Sequence, residues 1–177
     1  MGFVVTRNLL IVGAGAYAQV AAEIATDMCC FATIGFVDDK VKTLENGAAV
    51  VGTTRDIERL AGEYSDIVVA IGNPQVRHAL LNRFQAMPSY RIASLISPKA
   101  YISPSAKIMD GCIIEPMAVV QADCVIGMGC IISAGAVVNH TATCGDVAHV
   151  DCNATVSGYA YVPAGTKICS GEVYKNV

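Results

Sequence analysis

The chain has 177 residues, of which 54% are hydrophobic and 15% are charged, and its formal net charge is −3 at pH 7. This length allows one domain or two small ones. The mean hydropathy of +0.50 is high, but the longest apolar stretch, residues 9–25, contains Gln19 and Glu23, which argues against membrane insertion. No basic run is present, so nucleic-acid binding is not expected.

Strand and helix patterns alternate along the first part of the chain. The pattern predicts strands at residues 8–12, 32–37 and 67–71 and helices at residues 17–28, 54–61 and 74–86, after which residues 90–95 lead into the next part. Such alternation is typical of a parallel sheet with right-handed crossovers. The sequence therefore predicts a small Rossmann-like α/β domain over residues 1–94.

A glycine motif lies between the first predicted strand and the first predicted helix. The sequence GAGAYA, residues 13–18, matches the relaxed G-x-G-x-x-A form, in which the second glycine lets a ligand approach the backbone and the helix N-terminus favours an anion. Gly15, Asp38 and Gly72 should then meet at one edge of the sheet. Two alternatives stay open: the glycines serve only the turn, and Asp38 and Asp39 only cap a loop.

Residues 95–172 repeat every six residues, thirteen times, without an insertion. The second place of each unit is aliphatic, except for Cys144, and the sixth place is Ala, Cys or Thr until Glu172. This period fits neither a helix nor a hairpin sheet but is typical of a β-solenoid, in which each unit forms one short strand and a corner. We therefore predict an all-β solenoid domain over residues 95–177.

In a three-sided solenoid, one coil takes three units, or eighteen residues. His140 then stacks above Ala122 and under Gly158, while His149 stacks above Ile131 and under Lys167. A histidine between small residues leaves a notch that a substrate can enter, as a general base requires. The alternative for both histidines is a surface position without a role. Two solenoid histidines without a third ligand do not favour a zinc site.

The chain contains eight cysteines and no C-x-x-C pair. Four of them, Cys112, Cys124, Cys130 and Cys144, occupy the small or aliphatic places of the repeat and should be buried. This usage indicates reduced thiols and a cytoplasmic location, with neither zinc nor disulfides.

Several segments together carry a resemblance to a known family. GAGAYA, FVDD, AIGNPQVR, LISPKAYISPSA and VVNHTATCGDVAHVDCNATVSG occur in this order. On these motifs the chain resembles the bacterial nucleotide-aminosugar N-acetyltransferases and sialic acid O-acetyltransferase-type proteins of the hexapeptide-repeat acyltransferases. The resemblance implies a left-handed parallel β-helix, a homotrimer with active sites between subunits, and acetyl-CoA as cosubstrate without a metal.

The resemblance also implies roles for individual residues. His140 matches the general base, and His149 and Gly158 match residues that contact acetyl-CoA. Contacts to the nucleotide sugar are assigned to seven residues: Gly15, Ala16, Tyr17, Asp38, Asp39, Gly72 and Gln75. The chain departs from the family at Thr141, where an acidic residue is usual, and at Ala16 and Tyr17, where Gly and His are usual. The repeat also ends at Glu172, which predicts a shorter coenzyme groove.

These observations predict an acetyl-CoA-dependent acyltransferase. It would acetylate a nucleotide-linked amino sugar, or a sialic-type sugar, by direct transfer in bacterial surface-glycan biosynthesis. The alternative, motivated by Thr141 and the short repeat, is a non-catalytic sugar-nucleotide-binding protein. An NAD-dependent enzyme ranks last, because a domain of this size lacks the second half expected of a dinucleotide-binding fold.

Overall fold

The structure is a computed structural model that describes residues 7–44 and 46–175. Its first part is a five-stranded parallel sheet with strand order β3-β2-β1-β4-β5. The strands are β1 (Asn8–Val12), β2 (Thr33–Val37), β3 (Val50–Gly52), β4 (Asp66–Val69) and β5 (Arg91–Ile92). The helices are α1 (Ala16–Asp27), α2 (Ile57–Leu60) and α3 (Pro74–Gln85).

The predicted strands and helices are all present. The structure has two further strands, and several boundaries differ from the prediction by one to three residues. Strands β3 and β5 were not predicted; they have three and two residues and owe their hydrogen bonds to neighbouring strands. Helix α2 begins later than predicted because two backbone N–H groups before it donate to side chains, Thr53 to Asp56 and Thr54 to Asp39, at 2.8 and 2.9 Å.

Both faces of this sheet are covered, which confirms the Rossmann-like layering. Along β1, Leu9 and Ile11 pack on the α1 side, while Leu10 and Val12 pack on the α3 side. Each of the two cores also contains residues of the repeat region, Ile113 on the α1 side and Val147 on the α3 side. The sheet domain is therefore packed directly against the β-helix.

The repeat region forms a left-handed parallel β-helix of fourteen two-residue strands in three sheets. The first sheet contains β6 (Leu95–Ile96), β9 (Ile113–Ile114), β12 (Ile131–Ile132), β15 (His149–Val150) and β18 (Lys167–Ile168). The second contains β7 (Tyr101–Ile102), β10 (Val119–Val120), β13 (Val137–Val138), β16 (Thr155–Val156) and β19 (Val173–Tyr174). The third contains β8 (Lys107–Ile108), β11 (Val125–Ile126), β14 (Thr143–Cys144) and β17 (Tyr161–Val162).

Paired residues of neighbouring coils are eighteen apart in sequence, as Val119 and Val137 show. The prediction of a three-sided solenoid is therefore confirmed. The aliphatic and small places of the repeat form one interior column, in which the four predicted cysteines are fully buried. Burial raises the pKa of the Cys124 and Cys144 thiols, which therefore stay protonated at neutral pH.

The β-helix continues beyond the last hexapeptide unit of the sequence. The hexapeptide pattern stops at Glu172, yet β19 follows it and pairs with β16 through Thr155 and Val173. Parallel pairing uses backbone groups and does not need the small sixth residue, so the stack continues past the last recognisable unit. The shorter coenzyme groove stays a prediction.

The buried side chain of Arg77 on α3 joins the two parts of the molecule. Its Nε and Nη2 donate to the carbonyls of Gly129 and Val147 in the β-helix, at 2.8 and 2.7 Å. Its Nη1 donates to the carbonyls of Ile71 and Gly72 after β4, at 2.8 and 3.0 Å. One fully buried guanidinium thus links the end of a sheet strand to two coils.

Helix α3 lies against the turns between the third and first sheets, residues 109–112, 127–130, 145–148 and 163–166, which we call the α3 corner. At Gly111, whose φ is +76°, an added Cβ would come within 2.9 Å of Leu81 of α3. Gly129, with φ +66°, is approached by the same leucine. Glycine at these positions allows the close approach of the helix. None of the helices in the described ranges is long and apolar enough to cross a membrane.

Candidate active site

His140 lies exposed at the corner between the second and third sheets. We call this surface the His140 corner and define it by the turns at residues 121–124, 139–142 and 157–160. The backbone of His140 is held from both sides: its N–H donates to Gln121 Oε1 at 3.1 Å, and its carbonyl accepts from the Tyr159 N–H at 3.2 Å. The predicted stacking of His140 between adjacent coils is therefore confirmed.

Gly158 lies directly against the imidazole of His140. A Cβ added at this glycine would be 3.0 Å from Cε1 and 3.1 Å from Nε2 of the ring. Within residues 7–44 and 46–175, the Gly158 N–H donates to no protein acceptor. The absence of a side chain thus leaves space beside the ring, and an N–H group is available there.

Tyr159 is a neighbour of His140 that the sequence analysis missed. The centroids of the two rings are 5.2 Å apart and their planes are at 86°, an edge-to-face arrangement. Tyr159 is 75% exposed and has φ +62°. Tyr159 follows Thr141 by eighteen residues. The eighteen-residue step that predicts Gly158 next to His140 therefore also places the Tyr159 ring at the His140 corner.

His149 lies on another surface of the chain, on β15 of the first sheet. Its Nε2 is 3.1 Å from Ser133 Oγ and 3.8 Å from Asp151 Oδ1, and Asp151 pairs with Lys167 at 2.8 Å. Burial lowers the pKa of His149 to about 4, against the opposing effect of Asp151, so the ring is neutral at pH 7. The fold does not bring His149 into the His140 corner.

The glycine loop after β1 lies between two pockets. Gly15 and Ala16 line one pocket together with Val41 and Leu44. Asp38 and Asp39 line the other, beyond the carboxyl ends of the strands. This is the edge of the sheet at which the sequence predicted a nucleotide-sugar site.

Both aspartates also cap loops, as the alternative interpretation predicted. Asp38 accepts from the N–H groups of Ala14, Lys40 and Val41 at 2.9, 2.8 and 2.9 Å. Burial alone would raise the pKa of Asp38, but these donors lower it below its usual value. Asp39 accepts from the Thr54 N–H and hydroxyl, both at 2.9 Å.

The other predicted substrate residues are dispersed. The Gly72 carbonyl accepts from Arg77, and Gln75 lines a separate pocket between α3 and the α3 corner. Tyr17 is half-buried, and its hydroxyl has no hydrogen-bond partner in the part of the chain that the structure describes. Burial, with the Glu115 carboxylate nearby, raises the pKa of Tyr17. The seven residues therefore do not share one pocket.

Comparisons with known proteins agree with this architecture. Residues 8–84 match the PglD N-terminal domain, and residues 105–140 match six repeats of the bacterial transferase hexapeptide. No curated protein sequence matches the chain. Among the described residues, no group of three or more His, Cys, Asp or Glu is placed to hold a metal ion.

Several solved structures resemble the whole chain. The acetyltransferase domain of PglB from Neisseria gonorrhoeae FA1090 is 32% identical, with a TM-score of 0.90 over 95% of this chain and 82% of that one. The same domain in complex with acetyl coenzyme A gives 30% identity and a TM-score of 0.84, over 94% and 89%. PerB from Caulobacter crescentus, in complex with CoA and GDP-perosamine, is 24% identical and shares the fold, with a TM-score of 0.68 over 95% and 91%.

The β-helix, the exposed corner histidine and these similarities define the class: the protein is an acetyltransferase of the hexapeptide-repeat type. Its sheet domain and its similarity to the PglB domain identify the family within this class. The chain belongs to the family of bacterial nucleotide-aminosugar N-acetyltransferases and sialic acid O-acetyltransferase-type proteins. The family and the enzyme class predicted from the sequence are thus confirmed.

Proposed function

We propose that the protein transfers an acetyl group from acetyl-CoA to a nucleotide-linked amino sugar, or to a sialic-type sugar, in bacterial surface-glycan biosynthesis. The observation that carries this proposal is the pairing of His140 with Gly158. The imidazole is exposed and fixed through its backbone, and the space next to it is kept open by a glycine. A neutral imidazole in this position can act as a general base.

The corner provides the two groups that direct transfer needs. His140 accepts the proton of the attacking amine or hydroxyl and returns it to the departing thiolate, so the base is restored. The Gly158 N–H, which has no acceptor among the described residues, donates to the carbonyl oxygen as negative charge develops on it. Acetyl-CoA supplies the thioester. No covalent enzyme intermediate is required, and the buried thiols of the β-helix take no part.

The nucleotide is assigned to the glycine loop. The N-terminus of α1 follows Gly15 and favours a phosphate, while Gly15, Ala16, Asp38 and Asp39 line the adjacent pockets. Tyr17, Gly72 and Gln75 are proposed as further contacts to the substrate, and His149 as a contact to acetyl-CoA.

We further propose a homotrimer in the cytoplasm. Support comes from exposed apolar side chains on the outer faces of the β-helix, among them Tyr101, Tyr161 and Val173. Exposed apolar surface of this kind marks interaction sites, and closed symmetry is usual in homo-oligomers. All eight cysteines are free, which suits a reducing compartment.

Incubation with acetyl-CoA and a suitable acceptor should release free thiol. The measurement is a thiol-release assay with UDP-, CMP-, dTDP- and GDP-linked amino sugars and with free sialic-type sugars, followed by mass spectrometry of the acetylated product. Mass and linkage distinguish N- from O-acetylation. If no acceptor in this panel gave an acetylated product, the proposed function would be rejected.

Gly158→Ala should lower kcat about 100-fold, because the new methyl group displaces the imidazole from its position and a misplacement of about 1 Å is enough for such a loss. The backbone at Gly158 is not in the left-handed region, so the fold should be retained. Steady-state kinetics with the best acceptor check this. Gly62→Ala is the matched control, since an added Cβ there meets no atom within 4 Å; equal kcat in both variants would contradict the prediction.

A further inference from the structure

The imidazole of His140 lacks the partner that usually orients a histidine base. Such a base is generally held by a third group, often a carboxylate, which also stabilises the imidazolium formed during reaction. Among the described residues, neither ring nitrogen of His140 forms a hydrogen bond to a protein atom, and no carboxylate pairs with it. The side chain of Tyr159 does contact the ring.

The geometry of Tyr159 is that of an aromatic pair. A centroid distance of 5.2 Å and an interplanar angle of 86° match the edge-to-face arrangement that aromatic rings prefer. The Tyr159 N–H also donates to the His140 carbonyl, so backbone and ring of one residue both contact the histidine.

Core packing does not explain this placement. The side chain of Tyr159 is 75% exposed, and its φ of +62° is unfavourable for an aromatic residue. Asparagine or glycine would occupy the same turn with less strain. The left-handed turn itself recurs at other corners of the β-helix, as at Met117 and Asn153, so it is the contact of the ring with His140 that distinguishes Tyr159.

We infer that Tyr159 is the positioning residue of the general base. Its ring limits the rotation of the His140 imidazole and thereby orients it for proton transfer, which is the orienting part of the role that a carboxylate otherwise has. The inference rests on the proposed function of His140 as the base.

Two substitutions distinguish the effect of the Tyr159 ring from the effect of its backbone conformation. Tyr159→Phe keeps the ring and should keep kcat within about two-fold, whereas Tyr159→Asn keeps the left-handed turn, removes the ring and should lower kcat about five-fold.

Met117→Asn is the matched control, because Met117 is also 74% exposed with φ +63° but lies at another corner. It should leave kcat unchanged. A Tyr159→Asn enzyme with wild-type kcat would overturn the inference.

A measurement that needs no catalytic turnover distinguishes a failure of this inference from a failure of the proposed function. The imidazole protons of His140, assigned by loss of their signals in His140→Asn, should show a ring-current shift that Tyr159→Phe retains and Tyr159→Asn abolishes. Unchanged shifts in Tyr159→Asn would overturn the inference even for a fully active enzyme. If the wild-type protein acetylates no acceptor, the proposed function fails and this spectrum alone decides whether the ring positions His140.

Discussion

His140→Asn is expected to lower kcat about 1,000-fold, with little change in KM for either substrate. Asparagine is polar and of similar size but cannot accept a proton at neutral pH, and general-base catalysis contributes roughly 100- to 10,000-fold. The side chain of His140 is exposed and none of its ring atoms forms a hydrogen bond to the described residues, so the substitution should leave stability within about 0.5 kcal/mol. Steady-state kinetics and thermal unfolding measure the two effects separately.

His78→Gln is the control for this experiment, since His78 is an exposed histidine on α3, away from the His140 corner. It should retain wild-type kcat. A loss below ten-fold in His140→Asn would show that another group accepts the proton. A raised KM with unchanged kcat would instead assign His140 to substrate binding.

Arg77→Met should lower the free energy of unfolding by about 3 kcal/mol. Methionine fills much of the same space but leaves the carbonyls of Ile71, Gly72, Gly129 and Val147 without their donor, and those of Gly129 and Val147 belong to buried residues. Buried polar groups left unpaired cost about 1–3 kcal/mol each, less where they regain other partners. For a chain of this size the melting temperature should fall by roughly 6–12 °C.

Arg83→Met on the same helix is the matched control. Arg83 is partly exposed and makes one 3.2 Å hydrogen bond to the Thr54 carbonyl and a 3.9 Å contact with Glu58. Its replacement should cost less than about 1 kcal/mol. If both variants unfolded at the same denaturant concentration, the link between the sheet domain and the β-helix would not depend on Arg77.

The β-helix could be predicted closely because its information is local and periodic. Each hexapeptide specifies its own strand and corner, and the eighteen-residue step converts sequence separation into a neighbour relation. This step alone predicts that Gly158 lies against His140, as it does in the folded chain. The same eighteen-residue step relates Thr141 to Tyr159. The position of the Tyr159 ring next to His140 could therefore also have been predicted from the sequence.

The remaining features depend on contacts that no local pattern encodes. Strands β3, β5 and β19 lie outside the hexapeptide repeat and are short, so no periodic pattern marks them, and they exist because a neighbouring strand pairs with them. Arg77 links the two parts of the chain only because α3 packs against the β-helix. The residues next to Arg77 in the sequence do not indicate this packing. The dispersal of the predicted substrate residues also depends on packing between the two parts of the chain, because Gln75 on α3 and Tyr17 on α1 both lie next to residues of the β-helix.

The left-handed backbone positions divide unequally between the corners of the β-helix. At the α3 corner they are held mostly by glycines, Gly111, Gly129 and Gly165, whereas at the His140 corner they are held by Asp123, Thr141 and Tyr159. A side chain in this conformation costs about 1–2 kcal/mol relative to glycine. Selection for thermal stability alone would therefore favour glycine at the His140 corner, and the enzyme would gain stability as it lost the side chains around its base.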